Sequence, residues 1–159
     1  SNAMATNLIG LDTTQSQKLA NALNNLLANY QVFYMNTRGY HWNIQGKEFF
    51  ELHAKFEEIY TDLQLKIDEL AERILTLSAR PMHSFSGYLK AAQIKEHTDS
   101  IDGRSSMQGL VDGFSILLHQ QRDILELAGE TGDEGTSALM SDYIREQEKL
   151  VWMLNAWLK

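Results

Sequence analysis

Residues 47–77 read KEFFELHAKFEEIYTDLQLKIDELAERILTL, and Leu52, Phe56, Ile59, Leu63, Ile67, Leu70 and Ile74 recur there at three- and four-residue intervals. That period is one face of an α-helix, and nothing breaks it before Pro81. At 1.5 Å per residue such a helix is about 48 Å long, the scale of a whole domain.

The same period extends on both sides of this stretch. Upstream, Leu19, Leu23, Leu26, Leu27, Tyr30 and Phe33 predict a helix over 14–39, opened by a capping box at Thr14-Gln15-Ser16-Gln17. Gly39, Asn43 and Gly46 interrupt the pattern, so His41 is expected at the helix end or just beyond it. Downstream, residues 81–104 are irregular, with Pro81, Gly87 and Gly103 and a short helix predicted at 87–95. Two further helices are predicted at 105–128 and 134–157, separated by Gly129, Gly132 and Gly135. Four long helices joined by two short connections and one long central one describe an all-α, ferritin-like four-helix bundle, with the short helix in the crossover. Ser1-Asn2-Ala3 precede Met4 and read as the remnant of a removed tag; 4–13 form an N-terminal arm and 14–159 a single bundle domain.

Composition narrows the chemistry. The 159 residues include no Cys, which removes disulfide frameworks, iron–sulfur clusters and thiol nucleophiles. One Pro fits long helices, and 14 Lys+Arg against 21 Asp+Glu, a net charge of −7, argues against bulk attraction to polyanions. No apolar run approaches the ~20 residues of a membrane span and no leader is recognisable, so the cytoplasm is expected.

Metal-competent side chains concentrate at His41, at His53 with Glu57, and at Asp68 with Glu72. Both i, i+4 pairs project from one helix face. Asp68 nevertheless lies ~22 Å along the axis from His53, whereas metal–ligand bonds are only ~2.0–2.2 Å. One helix therefore cannot close this set on one ion; another helix or a second copy of the chain must complete each half. Asp68 and Glu72 border the apolar stripe of Ile67, Leu70 and Ile74, which predicts their burial at an interface beside a cation. Exposed acid pairs and a packed histidine would account for the same residues without a metal.

The stretch from His41-Trp42-Asn43 through Phe49-Phe50-Glu51-Leu52-His53, followed by Phe56-Glu57-Glu58 and Asp68-Glu69-Leu70-Ala71-Glu72-Arg73, resembles the Dps family, the ferritin-like DNA-binding proteins of starved cells. Glu148-Lys149-Leu150-Val151-Trp152 resembles that family's last helix, so the likeness covers nearly everything after residue 14. The resemblance implies a hollow dodecamer that oxidises iron(II) with hydrogen peroxide or O2 and stores iron(III). It implies ligands His41 and His53 from one subunit with Asp68 and Glu72 from its twofold mate, and Glu57 orienting a second iron. Trp42 would quench stray oxidising equivalents beside them. Imidazole and carboxylate together suit iron, and zinc fits the same ligands without turnover. A threefold entry pore lined by acids around Glu126, Glu130, Asp133, Glu134 and Asp142 is also implied, although Ala138 stands where a pore acid is typical and a solvated, N-capping acidic turn accounts for the same residues.

DNA binding is the family property with least support, because Met4 to Lys18 carries one Lys and one Asp and no basic tail follows. The competing reading is a nucleoid-associated or structural assembly whose metal site is vestigial or holds zinc. His83, His97 and His119 are read as surface or packing residues.

Overall fold

The computed structural model describes residues 5–159; the tag remnant lies outside them, as does Met4. Five helices follow one another: α1 Thr13–Asn43, α2 Phe49–Thr76, α3 Phe85–Ala91, α4 Gly103–Thr131 and α5 Glu134–Leu158. Among the described residues there is no strand, only an isolated bridge between Thr6 and Asp12. No helix among them is long and apolar enough to cross a membrane.

The helix starts follow side-chain caps. Asp12, not Thr14, caps α1, its carboxylate accepting from the Gln15 amide at 2.9 Å; a single cap bond from an arm residue thereby replaces the expected Thr14 capping box. Ser84, Asp102 and Asp133 cap α3, α4 and α5 in the same way. α4 ends where Gly132 takes the left-handed conformation (φ +70°), which relieves its last carbonyls.

Gly39 does not end α1. The helix continues to Asn43, because Tyr40 and His41 are buried and Ile44 donates its amide back to the Tyr40 carbonyl at 3.1 Å. Packing of that last turn outweighs the helix cost of one glycine, about 1 kcal/mol. α3 begins and ends earlier than the predicted 87–95, since Ala92 is extended and the next two amides are bonded elsewhere.

α1 packs against α2 and α4, and α4 against α5. Cross-helix bonds give the directions. Along α1, Tyr30 meets Gln121, Phe33 meets Phe114 and Tyr40 stands against Gly109, and Arg122 meets Glu148 while Arg104 meets the Leu158 carbonyl, so α4 is antiparallel to both neighbours. α2 and α4 therefore run the same way, and the chain between them must traverse the bundle.

Three asparagines of α1 clasp that crossover. Asn24 accepts from the Met82 amide and donates to the Arg80 carbonyl; Asn29 accepts from the amides of Gln93 and Ile94. Asn36 accepts from the His97 amide and donates to the Lys95 carbonyl. Each side-chain amide supplies the pairing that a neighbouring strand would otherwise provide. Mid-bundle, Tyr30, Gln121 and Gln147 form a closed ring of hydrogen bonds inside the apolar core.

Candidate metal centre

A five-residue connection, 44–48, reverses the chain between α1 and α2. Ile44 is buried, Gly46 takes φ +113°, a backbone shape that favours glycine, and the Gln45 amide bonds the Ile101 carbonyl at 2.8 Å. The reversal lays the last turn of α1 beside the first turns of α2, and His41 beside His53.

The two imidazoles lock each other. His41 Nδ1 lies 2.7 Å from the His53 carbonyl oxygen, and His53 Nδ1 lies 2.7 Å from the His41 carbonyl oxygen. A carbonyl only accepts, so both Nδ1 atoms carry hydrogen, and each neutral ring keeps its Nε2 lone pair for a ligand. The rings stack at 3.8 Å and 13°, and Phe49 stacks on His53 at 4.9 Å. His41 is only 7% exposed.

Glu57 Oε1 stands 3.8 Å from His41 Nε2, too far for a hydrogen bond. Two metal–ligand bonds of ~2.0–2.2 Å span that gap with one cation between them. The donor set therefore fits a metal, although three or more His, Asp and Glu side chains poised to hold one occur nowhere in the single chain among the described residues.

Asp68 and Glu72 are elsewhere. Both are exposed on α2 in the single chain, and both line a groove of about 420 Å³ between α2 and α5. No cation lies within 4.0 Å of either among the described residues. Arg73, one position from Glu72, turns away to the buried Asp133 at 2.7 Å and to Thr136 at 3.0 Å. The adjacent cation, Lys66, is buried between Asp62 at 2.7 Å and Glu146 at 2.9 Å, over the Tyr143 ring. Burial works against its charge, but the two carboxylates outweigh that and raise its pKa. One chain thus brings His41 against His53 and within 3.8 Å of Glu57, and leaves Asp68 and Glu72 unpaired on another part of α2.

The remaining histidines have local partners. His97 Nδ1 meets the Tyr40 hydroxyl, His83 Nδ1 the Pro81 carbonyl at 3.1 Å, and His119 lies exposed 3.7 Å from Asp123. Asp133 is the buried cap of α5 and a partner of Arg73, not a free acid.

One neighbour of the histidines was not singled out in the sequence. Arg38 lies over Tyr60, whose ring meets His41 edge-on at 5.2 Å. Its four-residue spacing from both Tyr34 and Trp42 was a legible signal of contact.

Comparison with known proteins follows the same lines. A ferritin-like domain model matches residues 20–159. The DNA protection during starvation protein of Porphyromonas gingivalis is 47% identical over 148 residues, covering 93% of each chain. An uncharacterised protein of Haemophilus influenzae is 56% identical over 153 residues, 96% of each. The crystal structure of a Dps protein from Bacillus brevis superposes with a TM-score of 0.89 at 36% identity, over 92% of this chain and 98% of that one.

Proposed function

The chain belongs to the Dps family of ferritin-like proteins, and from that membership we propose that it oxidises iron(II) with hydrogen peroxide and sequesters the iron(III) inside a hollow dodecamer. The observation that carries the reading is the mutual lock of His41 and His53, which leaves both Nε2 lone pairs free, that of His41 3.8 Å from the Glu57 carboxylate. The carboxylates that would complete the set, Asp68 and Glu72, come from the partner subunit across a twofold axis. An isologous contact of α2 with its copy makes two equivalent sites at once.

Iron is the substrate here. Two iron(II) ions each lose one electron; hydrogen peroxide takes both, its O–O bond breaks, and with two protons it leaves as two waters. Imidazoles suit iron(II), and the carboxylates stabilise the harder iron(III) product. Glu57 orients the second ion, and the acid-rich groove beside Asp68 and Glu72 attracts the cations onward. Zinc competes for the same ligands. The reaction belongs in the cytoplasm, where removing iron and peroxide together is protective. Met4 to Lys18 carries one Lys and one Asp, and direct DNA binding is not part of the proposal.

Co-assembly tests it. His41→Ala and Asp68→Ala proteins are each inactive in peroxide-driven iron(II) oxidation. Dissociated and reassembled as an equal mixture, they recover about one quarter of the sites, because every mixed twofold pair has one intact site. No recovery, with reassembly shown by light scattering, refutes the shared site. Full activity of either variant alone refutes the ligand assignment.

A further inference from the structure

Arg38 stands outside the proposed ligands yet touches the aromatic rings around them. Its guanidinium carbon lies 4.0 Å from the Tyr60 ring centroid, 5.5 Å from Tyr34 and 5.6 Å from Trp42. Its Nε donates to the Tyr34 hydroxyl at 2.9 Å, which fixes the fork in place. Tyr60 meets His41 edge-on at 5.2 Å, and Tyr34 meets Tyr60 at 6.0 Å. No carboxylate lies within 4.0 Å of Arg38 among the described residues, so aromatic faces are its nearest electrostatic partners.

A cation over a neutral ring is attracted by the ring's quadrupole. Removing one electron from the ring reverses the sign: the positive hole now faces a fixed positive charge. We propose that Arg38 is an electrostatic guard that opposes one-electron oxidation of Tyr60 and Tyr34, so that oxidising equivalents beside His41 draw their electrons from iron(II). The guarded step is simple to balance. A one-electron oxidant gains the electron, the ring loses it, and the phenol proton then leaves to water. Arg38 acts on the electron loss and is a positioning residue, not a catalytic one. The source of the oxidant rests on the ferroxidase reading; the guarding itself does not.

The experiment compares Arg38→Met, which keeps an unbranched apolar stem over the rings without charge, with Arg38→Lys, which keeps charge without the planar fork. Assembled, metal-free protein is exposed to azide radicals, each of which takes one electron and leaves as azide anion, and oxidised residues are mapped by peptide mass spectrometry. Trp152, exposed on α5, is the internal reference. Even at the dielectric constant of water, a unit charge at 4 Å shifts an equilibrium about fivefold. Arg38→Met is therefore expected to raise oxidation at Tyr60, relative to Trp152, by about fivefold or more, and Arg38→Lys to restore most of the protection. Equal rises in both variants mean that the side chain merely covers the rings, and no rise in either means that it does nothing; both overturn the proposal. A second arm gives iron(II) and peroxide to the unsubstituted and Arg38→Met proteins and counts oxidised Tyr60 per iron oxidised. A positive azide arm with no excess oxidation at Tyr60 in Arg38→Met over the unsubstituted protein in the second refutes the ferroxidase site while the guard stands.

Discussion

The same substitution, Gly to Ala, made at two places in α4 has opposite expected signs. At Gly113 a new Cβ would stand 2.2, 2.6 and 2.7 Å from three ring atoms of Phe33, which is 1% exposed. That ring already meets Phe114 edge-on at 4.9 Å, so it cannot simply swing away. Reaching ordinary contact requires a shift of about 1.2 Å in a close-packed core. Overpacking of this kind costs about 1–3 kcal/mol, against a helix gain of about 0.5–1 kcal/mol, leaving a net loss of about 1–2 kcal/mol. At Gly129 nothing lies within 4 Å of the added carbon, so only the helix gain remains. The helix gain is common to both, so the two variants should differ by the overpacking cost, roughly 1–3 kcal/mol, or roughly 2–12 °C in Tm for a domain of this size. Thermal melts of the assembled protein at matched concentration read this directly, since oligomer stability depends on concentration. A Gly113→Ala protein that melts at or above Gly129→Ala would refute the packing described for α1 against α4.

Asn29→Ala strands the amides of Gln93 and Ile94 as well as a partner of Gln120, and should cost about 2–4 kcal/mol. Urea unfolding measures the loss, and hydrogen exchange should quicken first at those two amides; unchanged exchange there would contradict the clasp. Burial raises the pKa of Tyr30, Tyr40 and Tyr143, half of the 6 tyrosines. The folded state holds those phenol protons more tightly than the unfolded chain, so the stability they confer is complete below about pH 10 and declines as pH rises above it. Alkaline ultraviolet titration should show these three ionising only as helical circular dichroism is lost, and smooth ionisation of all six in folded protein would count against their burial.

Much of the architecture is legible as periodicity. α2 shows it from Leu52 to Ile74 because one uninterrupted stripe faces one core. Boundaries are less legible, since they depend on partners distant in sequence. Gly39 reads as a stop until Tyr40 finds His97, 57 residues away, and α3 ends where Asn29 captures the next amides. At the metal centre the residue types are visible but their preparation is not. The acceptors that fix both imidazoles are backbone carbonyls, which no side-chain pattern encodes. Lys66 reads as a polar-face residue and proves to be 4% exposed, because Asp62 and Glu146 flank it from two helices.

The asparagine clasps also bear on the order in which the chain can be assembled as it is synthesised. Asn24, Asn29 and Asn36 meet their partners at 80–82, 93–94 and 95–97 in the same order along the chain. Every receptor on α1 has left the ribosome before its client exists, and N-terminal segments are the first able to fold. Once α1 and α2 have paired, each new stretch of crossover finds its asparagine immediately ahead of the one already filled. Loop closure is then spread over several short steps in place of one long one. By the time Gly103 emerges, the start of α4 has been carried to the far end of the bundle by a track laid down some sixty residues earlier.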